Sequence, residues 1–175
     1  MRRSSFTLIE VLIAVTVFGL VIVASSSTFV LVFNAWQRQK TSLDLLKDLS
    51  WTTEFITNEV KLAAASGTHR LRTFHNGERL AFWIDTDGDN LYDTRIWYWR
   101  GNGAGYGERD ILYRGEGDLL SSANLVRQEM TENLADNPSG NNIFSVSSGL
   151  LTIEITLAKG SKRYTLRTKI RARNR

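Results

Sequence analysis

The stretch RRSSFTLIEVLIAVTVFGL, from Arg2 to Leu20, decides how the chain begins its fold. Two arginines precede an apolar run that continues to Phe33 with few polar interruptions. A helix over 6–33 would be about 42 Å long, and the hydrocarbon core of a bilayer is about 30 Å thick. The next basic residue after the run is Arg38, so the positive-inside rule leaves the short N-terminus in the cytoplasm. The stretch therefore predicts a transmembrane helix over 6–33, with the rest of the chain outside the cytoplasm.

Glu10 is an acidic residue inside this apolar run. A carboxylate in a membrane costs about 2.5 to 3.5 kcal/mol on insertion scales, so we expect it to have a partner and a function there. A secretory signal peptide is the alternative interpretation, because the sequence VASSS (residues 23–27) could serve as a cleavage site. The apolar run continues past that site to Phe33 and contains Glu10. Both features favour a retained membrane helix.

The segment SSFTLIEVLIAVTVFGL resembles the N-terminal motif of type IV pilins and type II secretion pseudopilins. The resemblance implies that a prepilin peptidase cuts between Ser5 and Phe6, removes the leader 1–5 and methylates the new amine of Phe6. It also implies that Glu10 pairs with that amine on a neighbouring subunit as a filament grows from an assembly platform in the inner membrane. The family prefers Gly at the position of Ser5, and this chain keeps a small residue there.

Residues 34–66 predict an amphipathic continuation of the same helix. Apolar residues recur there at spacings of three and four, no proline interrupts the pattern, and Gly67 follows as a C-cap. A coiled coil is the competing interpretation, but the heptads are few and imperfect. One helix is therefore predicted from about Phe6 to Ala65.

Residues 67–175 change to the period of two that is typical of β-strands. Strands are predicted over 79–84, 94–100, 110–115, 150–158 and 162–175, the last two as a hairpin around KGS. The predicted fold class is α+β and pilin-like: a long N-terminal helix, half transmembrane and half amphipathic, packed on a C-terminal antiparallel β-sheet. The β-rich domain over 67–175 is predicted to be periplasmic or extracellular.

Several later segments resemble minor pseudopilins of the J type and minor pilins of the W type. They are LKDLSWTTEFITNEVKLA, DILYRG, ENLADN and YTLRTKIRARN. This resemblance implies a minor, non-enzymatic subunit in the tip or initiation complex of a type IV pilus or a type II secretion pseudopilus. A major pilin or a pseudopilin of another kind is the open alternative.

The segment DTDGDNLYD (residues 85–93) is rich in aspartate and predicts a structural calcium site. Calcium prefers oxygen ligands, and loops of this type place them at alternate positions. The candidate ligands are Asp85, Asp87, Asp89, the Leu91 carbonyl and Asp93. The glutamate that ends an EF-hand loop is missing, since Ile96 occupies that position. A solvated acidic turn is the alternative.

The remaining composition excludes several classes of chemistry. The chain has 175 residues, no cysteine and two histidines, which excludes a disulfide framework, thiol catalysis and a zinc–thiolate site. No catalytic constellation is predicted. The glycine-rich segment 101–107 lacks the Gly-Lys-Ser/Thr ending of a phosphate-binding loop.

The C-terminal strand predicts a basic face. Alternate residues of a strand point to opposite sides, and basic residues occupy one parity. They are Arg163, Arg167, Lys169, Arg171, Arg173 and Arg175. With a formal net charge of +4, an ordinary solvated face is one interpretation, and docking of an acidic neighbour subunit is another. The alternative function is a minor pilin of a DNA-uptake pilus that contacts DNA phosphates through this strand. A third class is a membrane-anchored binding domain that never polymerises.

Overall fold

The computed structural model describes residues 7–63, 70–87, 92–101, 107–108, 110–117, 126–138 and 142–172. The chain divides into two compact units, Met1–Ser42 and Leu43–Arg175, and each is described by itself. One helix, α1 (Leu8–Leu62), contributes to both units. Its bounds lie within three residues of the predicted ones.

In the first unit, α1 exposes its apolar side chains on all sides, as the predicted membrane segment requires. The helix contains a window long and apolar enough to cross a membrane, none of which is buried. Its polar interruptions are satisfied locally. The hydroxyls of Thr16, Ser26, Ser27 and Thr28 each donate a hydrogen bond to the carbonyl four residues earlier. This bonding lowers the cost of placing these four hydroxyls in hydrocarbon, because each of them has an acceptor within the helix.

In the second unit, one side of α1 is buried at helical spacing. The buried residues are Leu45, Leu49, Thr52, Thr53, Ile56 and Val60. They recur every three or four positions, which is the spacing of one face of an α-helix. This confirms the predicted amphipathic pattern in the second part of α1.

Eight strands follow the helix. They are β1 (Arg72–Phe74), β2 (Arg79–Ile84), β3 (Thr94–Arg100), β4 (Leu112–Glu116), β5 (Val126–Thr131), β6 (Phe144–Ser147), β7 (Leu150–Lys159) and β8 (Lys162–Arg171). A 3₁₀ turn, His75–Gly77, joins β1 to β2. The strands at 79–84 and 94–100 have the predicted bounds, and the predicted C-terminal hairpin is present as β7 and β8.

The strands form two sheets, whereas the sequence predicted one. β1 to β5 make a five-stranded sheet in chain order, and β6, β7 and β8 make a three-stranded sheet. All the strand pairs are antiparallel. β7 pairs with β8 over ten residues and with β6 on its other side. These three strands form a sheet that is separate from the first one.

The buried face of α1 and both sheets contribute to the main hydrophobic core. Leu49 and Ile56 from the helix meet Phe82 and Tyr98 from the first sheet and Ile153 from the second. The fold class predicted from the sequence is therefore confirmed: a long apolar N-terminal helix with antiparallel β-sheets, an α+β, pilin-like arrangement.

Candidate functional site: the helix start and the charged clusters

The start of α1 brings Thr7 and Glu10 together. The backbone N–H and the hydroxyl of Thr7 both donate to Oε2 of Glu10, at 2.9 Å each. The Glu10 N–H lies 3.4 Å from the Thr7 hydroxyl oxygen, which accepts its hydrogen bond. This reciprocal arrangement is a capping box, in which the N-cap residue and the third helical residue satisfy each other's unpaired donors.

The capping box gives Glu10 a partner within its own chain. The carboxylate also lies at the positive end of the helix dipole, which favours negative charge there. The sequence predicts that Glu10 pairs with the Phe6 amine of a neighbour. Ser5 and Phe6 themselves lie outside the described residues. The structure therefore shows how the carboxylate is held in a single chain, and pairing with another chain stays a prediction.

The acidic turn connects β2 to β3, and three of its predicted ligands are described. Asp93 accepts a hydrogen bond from the Thr86 hydroxyl, which lies 3.1 Å from both carboxylate oxygens. Desolvation raises the pKa of Asp93, but the hydrogen bonds from Thr86, Thr94 and the backbone together outweigh it and lower the pKa overall.

The described part of this turn does not by itself form a metal site. Across the residues that the structure describes, no three Asp, Glu or His side chains are grouped so that they could hold a metal ion. The carboxylates of Asp85, Asp87 and Asp93 therefore do not lie close enough together to hold a metal ion on their own. Asp89 and Leu91 lie outside the described residues, and a calcium site that includes them stays a prediction.

The predicted basic face lies on β8, at the edge of the three-stranded sheet. Arg163, Arg167, Lys169 and Arg171 are exposed, while Ile170 on the other face is buried. Arg173 and Arg175 lie outside the described residues. Nε of Arg167 lies 3.6 Å from Oε2 of Glu154, a buried carboxylate on the neighbouring strand. At least this arginine therefore also has a structural function.

A charged cluster that sequence reasoning missed joins α1 to the five-stranded sheet. The Arg114 guanidinium donates to both oxygens of Glu59, with Nη2 at 2.6 Å from Oε1 and Nε at 3.1 Å from Oε2. The Tyr98 hydroxyl donates to the same carboxylate, and Arg114 also contacts Glu116 at 2.8 Å. The guanidinium lies over the ring of Phe55, with its central carbon 5.8 Å from the ring centroid.

Burial and hydrogen bonds together set the pKa values of this cluster. Burial, helped by the Glu59 charge, raises the pKa of the Tyr98 hydroxyl. Desolvation alone would lower the pKa of Arg114, but its hydrogen bonds to Glu59 and Glu116 raise the pKa overall. Both donors therefore keep their protons at physiological pH. Glu59 and Arg114 are 55 positions apart in the chain, so no local sequence pattern could have predicted their contact.

Comparison with known proteins gives one match. Residues 1–26 match the family model described as the prokaryotic N-terminal methylation motif. No curated protein and no solved structure matches the chain. The match covers the leader, the predicted cleavage site and Glu10, which are the residues that carried the resemblance found in the sequence. Together with the membrane-compatible helix α1, this motif supports a type IV pilin or pseudopilin subunit that is anchored in the inner membrane.

Proposed function

We propose that this protein is a minor pilin or pseudopilin, a structural subunit of a type IV pilus or of a type II secretion pseudopilus. A prepilin peptidase would cut between Ser5 and Phe6 and methylate the Phe6 amine. The mature chain would then enter the filament from the inner-membrane assembly platform. The observation that carries this proposal is the methylation motif over residues 1–26 at the start of a helix that can cross a membrane.

Glu10 is proposed as the residue that brings subunits together. Cleavage would create a positive charge on Phe6 at the membrane boundary, and a buried ion pair offsets part of the cost of desolvating both charges. In the single chain the Glu10 carboxylate accepts two hydrogen bonds from Thr7. A carboxylate has four lone-pair sites, so Oε1 can accept the amine of a second subunit while Oε2 keeps its bonds to Thr7.

Placement in the tip or initiation complex, and identity as a minor subunit, are part of the same proposal. They rest on the resemblance of four segments to minor subunits of the J and W types: LKDLSWTTEFITNEVKLA, DILYRG, ENLADN and YTLRTKIRARN. The proposed organisation is a leader over 1–5, a polymerising membrane segment over 6–33, a helical continuation over 34–66 and a globular domain over 67–175 outside the cytoplasm.

The test compares Glu10→Ala with Thr7→Val in the native host. Both variants remove part of the capping box, but Thr7→Val keeps the carboxylate. We expect both proteins to insert into the membrane, and only Glu10→Ala to be absent from sheared filaments detected with an antibody. Incorporation of Glu10→Ala at the wild-type level would contradict the proposal. A Thr16→Val variant, which removes a hydroxyl six residues after Glu10 on α1, serves as the neutral control.

We also propose that the turn between β2 and β3 binds calcium as a structural ion. The support is the spacing of Asp85, Asp87, Asp89 and Asp93 in the sequence, because four carboxylates this close repel one another unless a cation offsets the repulsion. Calcium titrated into the full-length protein in detergent should raise its melting temperature, and Asp87→Asn should remove the effect. No change in melting temperature and no heat of binding for the wild type would refute the calcium site.

A further inference from the structure

The strand β8 forms an open edge of the three-stranded sheet. It pairs with β7 over all ten of its residues, and the strands of this sheet lie in the order β6, β7, β8. Within the described residues, the other side of β8 therefore has no strand partner. At about 3.4 Å per residue, this edge is about 34 Å long. The unpaired backbone N–H and C=O groups of such an edge are a template for a further strand.

The turn before β8 determines which of its backbone groups point to the open edge. The hairpin closes at the pair Lys159 and Lys162, around the two residues Gly160 and Ser161, and Gly160 has a φ of 61°. In a two-residue hairpin the closing pair exchanges both of its backbone hydrogen bonds, and hydrogen-bonded pairs then alternate along the strands. The even-numbered residues of β8 therefore bond to β7, and the N–H and C=O groups of the odd-numbered residues point outward. The odd-numbered residues are Arg163, Thr165, Arg167, Lys169 and Arg171.

The odd-numbered residues also carry the positive charge of β8. Their side chains are exposed and lie on one face of the sheet, because side chains alternate along a strand. On the other face, Tyr164 and Leu166 pack against the main core but are only half-buried. The edge therefore combines outward backbone groups, a basic row and an apolar row that the protein covers only in part.

From this edge we propose that β8 binds an extended acidic segment of another protein, which joins the sheet as an antiparallel strand. Residues directly opposite each other in an antiparallel pair lie on the same face, and opposite charges there are stabilising. The segment would carry acidic residues opposite the basic row and apolar residues between them, over Tyr164 and Leu166. In this mode of binding, backbone hydrogen bonds supply affinity and alternate side chains supply specificity.

Charge and backbone geometry select this partner over two others. The β8 strand of a second copy would place like charges opposite each other, which is destabilising. Nucleic acid would use the basic row, but its phosphates would leave the outward C=O groups of β8 unpaired. The inference goes beyond the proposed filament function and does not depend on it, because the open edge is a property of the single chain.

The experiment measures binding of a fluorescein-labelled peptide to the full-length protein in detergent, by fluorescence anisotropy. The peptide alternates glutamate and valine over about nine residues, which is close to the length of β8. One version has N-methyl groups on its inner glutamates, whose N–H groups would face β8. The matched control has them on the same number of valines, whose N–H groups would face away. We expect the first to bind about tenfold or more weakly than the unmodified peptide, and the control to bind within about threefold of it.

Variants of β8 test the same contact from the side of the protein. Thr165→Pro removes an outward N–H, and proline is tolerated at edge positions whose N–H faces solvent. Thr165→Val is the matched control, because both variants lose the hydroxyl that lies 2.8 Å from the hydroxyl of Thr156. We expect Thr165→Pro to weaken binding of the unmodified peptide about fivefold and Thr165→Val to weaken it less than about twofold. Arg163→Gln with Lys169→Gln, which leaves Arg167 beside Glu154, should also weaken it about fivefold.

Thermal melting shows whether each variant is folded, and if Thr165→Pro does not fold, the two methylated peptides decide the question. Equal binding by these two peptides would overturn the proposal. Wild-type binding by a folded Thr165→Pro protein would also contradict it, as would displacement of the peptide by oligothymidine at equal charge concentration. Finally, the edge would not be a strand-binding site if the unmodified peptide failed to bind the wild type at about 1 mM.

Discussion

Replacement of Glu59 by alanine should destabilise the globular unit more than any change on the exposed side of α1. Glu59 is the shared acceptor for Arg114 and for the hydroxyl of Tyr98. The side chains of Glu59 and Arg114 are 15% and 12% exposed, and Tyr98 is fully buried. Loss of the carboxylate would leave a buried cation and a buried hydroxyl with fewer partners, which is a strongly destabilising change.

The structure sets the size of this effect. Removing one partner of a buried ion pair costs about 3 to 5 kcal/mol, and an unmet hydrogen bond adds about 1 kcal/mol. Arg114 keeps its contact with Glu116 at 2.8 Å, although that side chain is 48% exposed and offsets only part of the loss. We therefore expect a loss of about 3 kcal/mol in the free energy of unfolding. At about 4 °C per kcal/mol, the melting temperature should fall by roughly 12 °C.

The assay is thermal unfolding of the full-length protein in detergent, followed by near-ultraviolet circular dichroism of the tryptophans. Glu54→Ala is the matched control, because Glu54 is an exposed glutamate on the same helix. Its melting temperature should stay within about 2 °C of the wild type. Glu59→Gln keeps an acceptor for Tyr98 without the charge and should lie between the two. A Glu59→Ala protein that melts within about 2 °C of the wild type would refute this account of the cluster.

Three further results are expected. Thr86→Val should raise the pKa of Asp93 towards the ordinary aspartate value of 3.8, as measured by NMR titration of the carboxyl carbon. The pKa of Asp93 is lower in the folded state than in the unfolded state, so the stability that Asp93 contributes is present above the unfolded-state pKa and is lost as the pH falls through the folded-state pKa. Thr86→Val should therefore make the free energy of unfolding less sensitive to acid in that pH range. Leu49→Ala, at a site 1% exposed in the core, should cost about 2 to 5 kcal/mol in denaturant unfolding, and a loss below about 1 kcal/mol would contradict the core assignment. Thr7→Val should leave membrane insertion unchanged and lower the helix content of a peptide covering 6–33 in micelles, because it removes the hydroxyl of the capping box.

Strong local patterns explain why part of the fold could be predicted from the sequence. The strands 79–84 and 94–100 are rich in aromatic and β-branched residues, and their bounds were predicted without error. The strands β1 and β6 were missed because they have only three and four residues. β5, with the sequence VRQEMT, was missed because its residues show no apolar alternation.

Local sequence patterns could not predict the number of sheets or the contacts between distant residues. Strand propensity does not say which strands pair, so the hairpin of β7 and β8 was expected in the same sheet as the other predicted strands. The contact of Glu59 with Arg114 depends on how α1 packs on β4, which no local spacing encodes. The contact of Arg95 with the Trp97 ring could have been predicted, because the two residues share one parity in TRIWYWR.

The capping box was also readable from the sequence. Thr7 and Glu10 have the Thr-x-x-Glu spacing that marks a helix start. The intermolecular function that the resemblance implied for Glu10 drew attention away from this local one. The two functions are compatible, because the local hydrogen bonds use Oε2.

The most direct test of the filament account is the chemical identity of the mature N-terminus. The protein would be purified from its host membrane and analysed by N-terminal sequencing and intact mass spectrometry. The account predicts a chain that begins at Phe6 with a methylated amine, and this processing should be lost when the prepilin peptidase is deleted. A mature chain that retains Met1, or one cut after the VASSS segment, would contradict it.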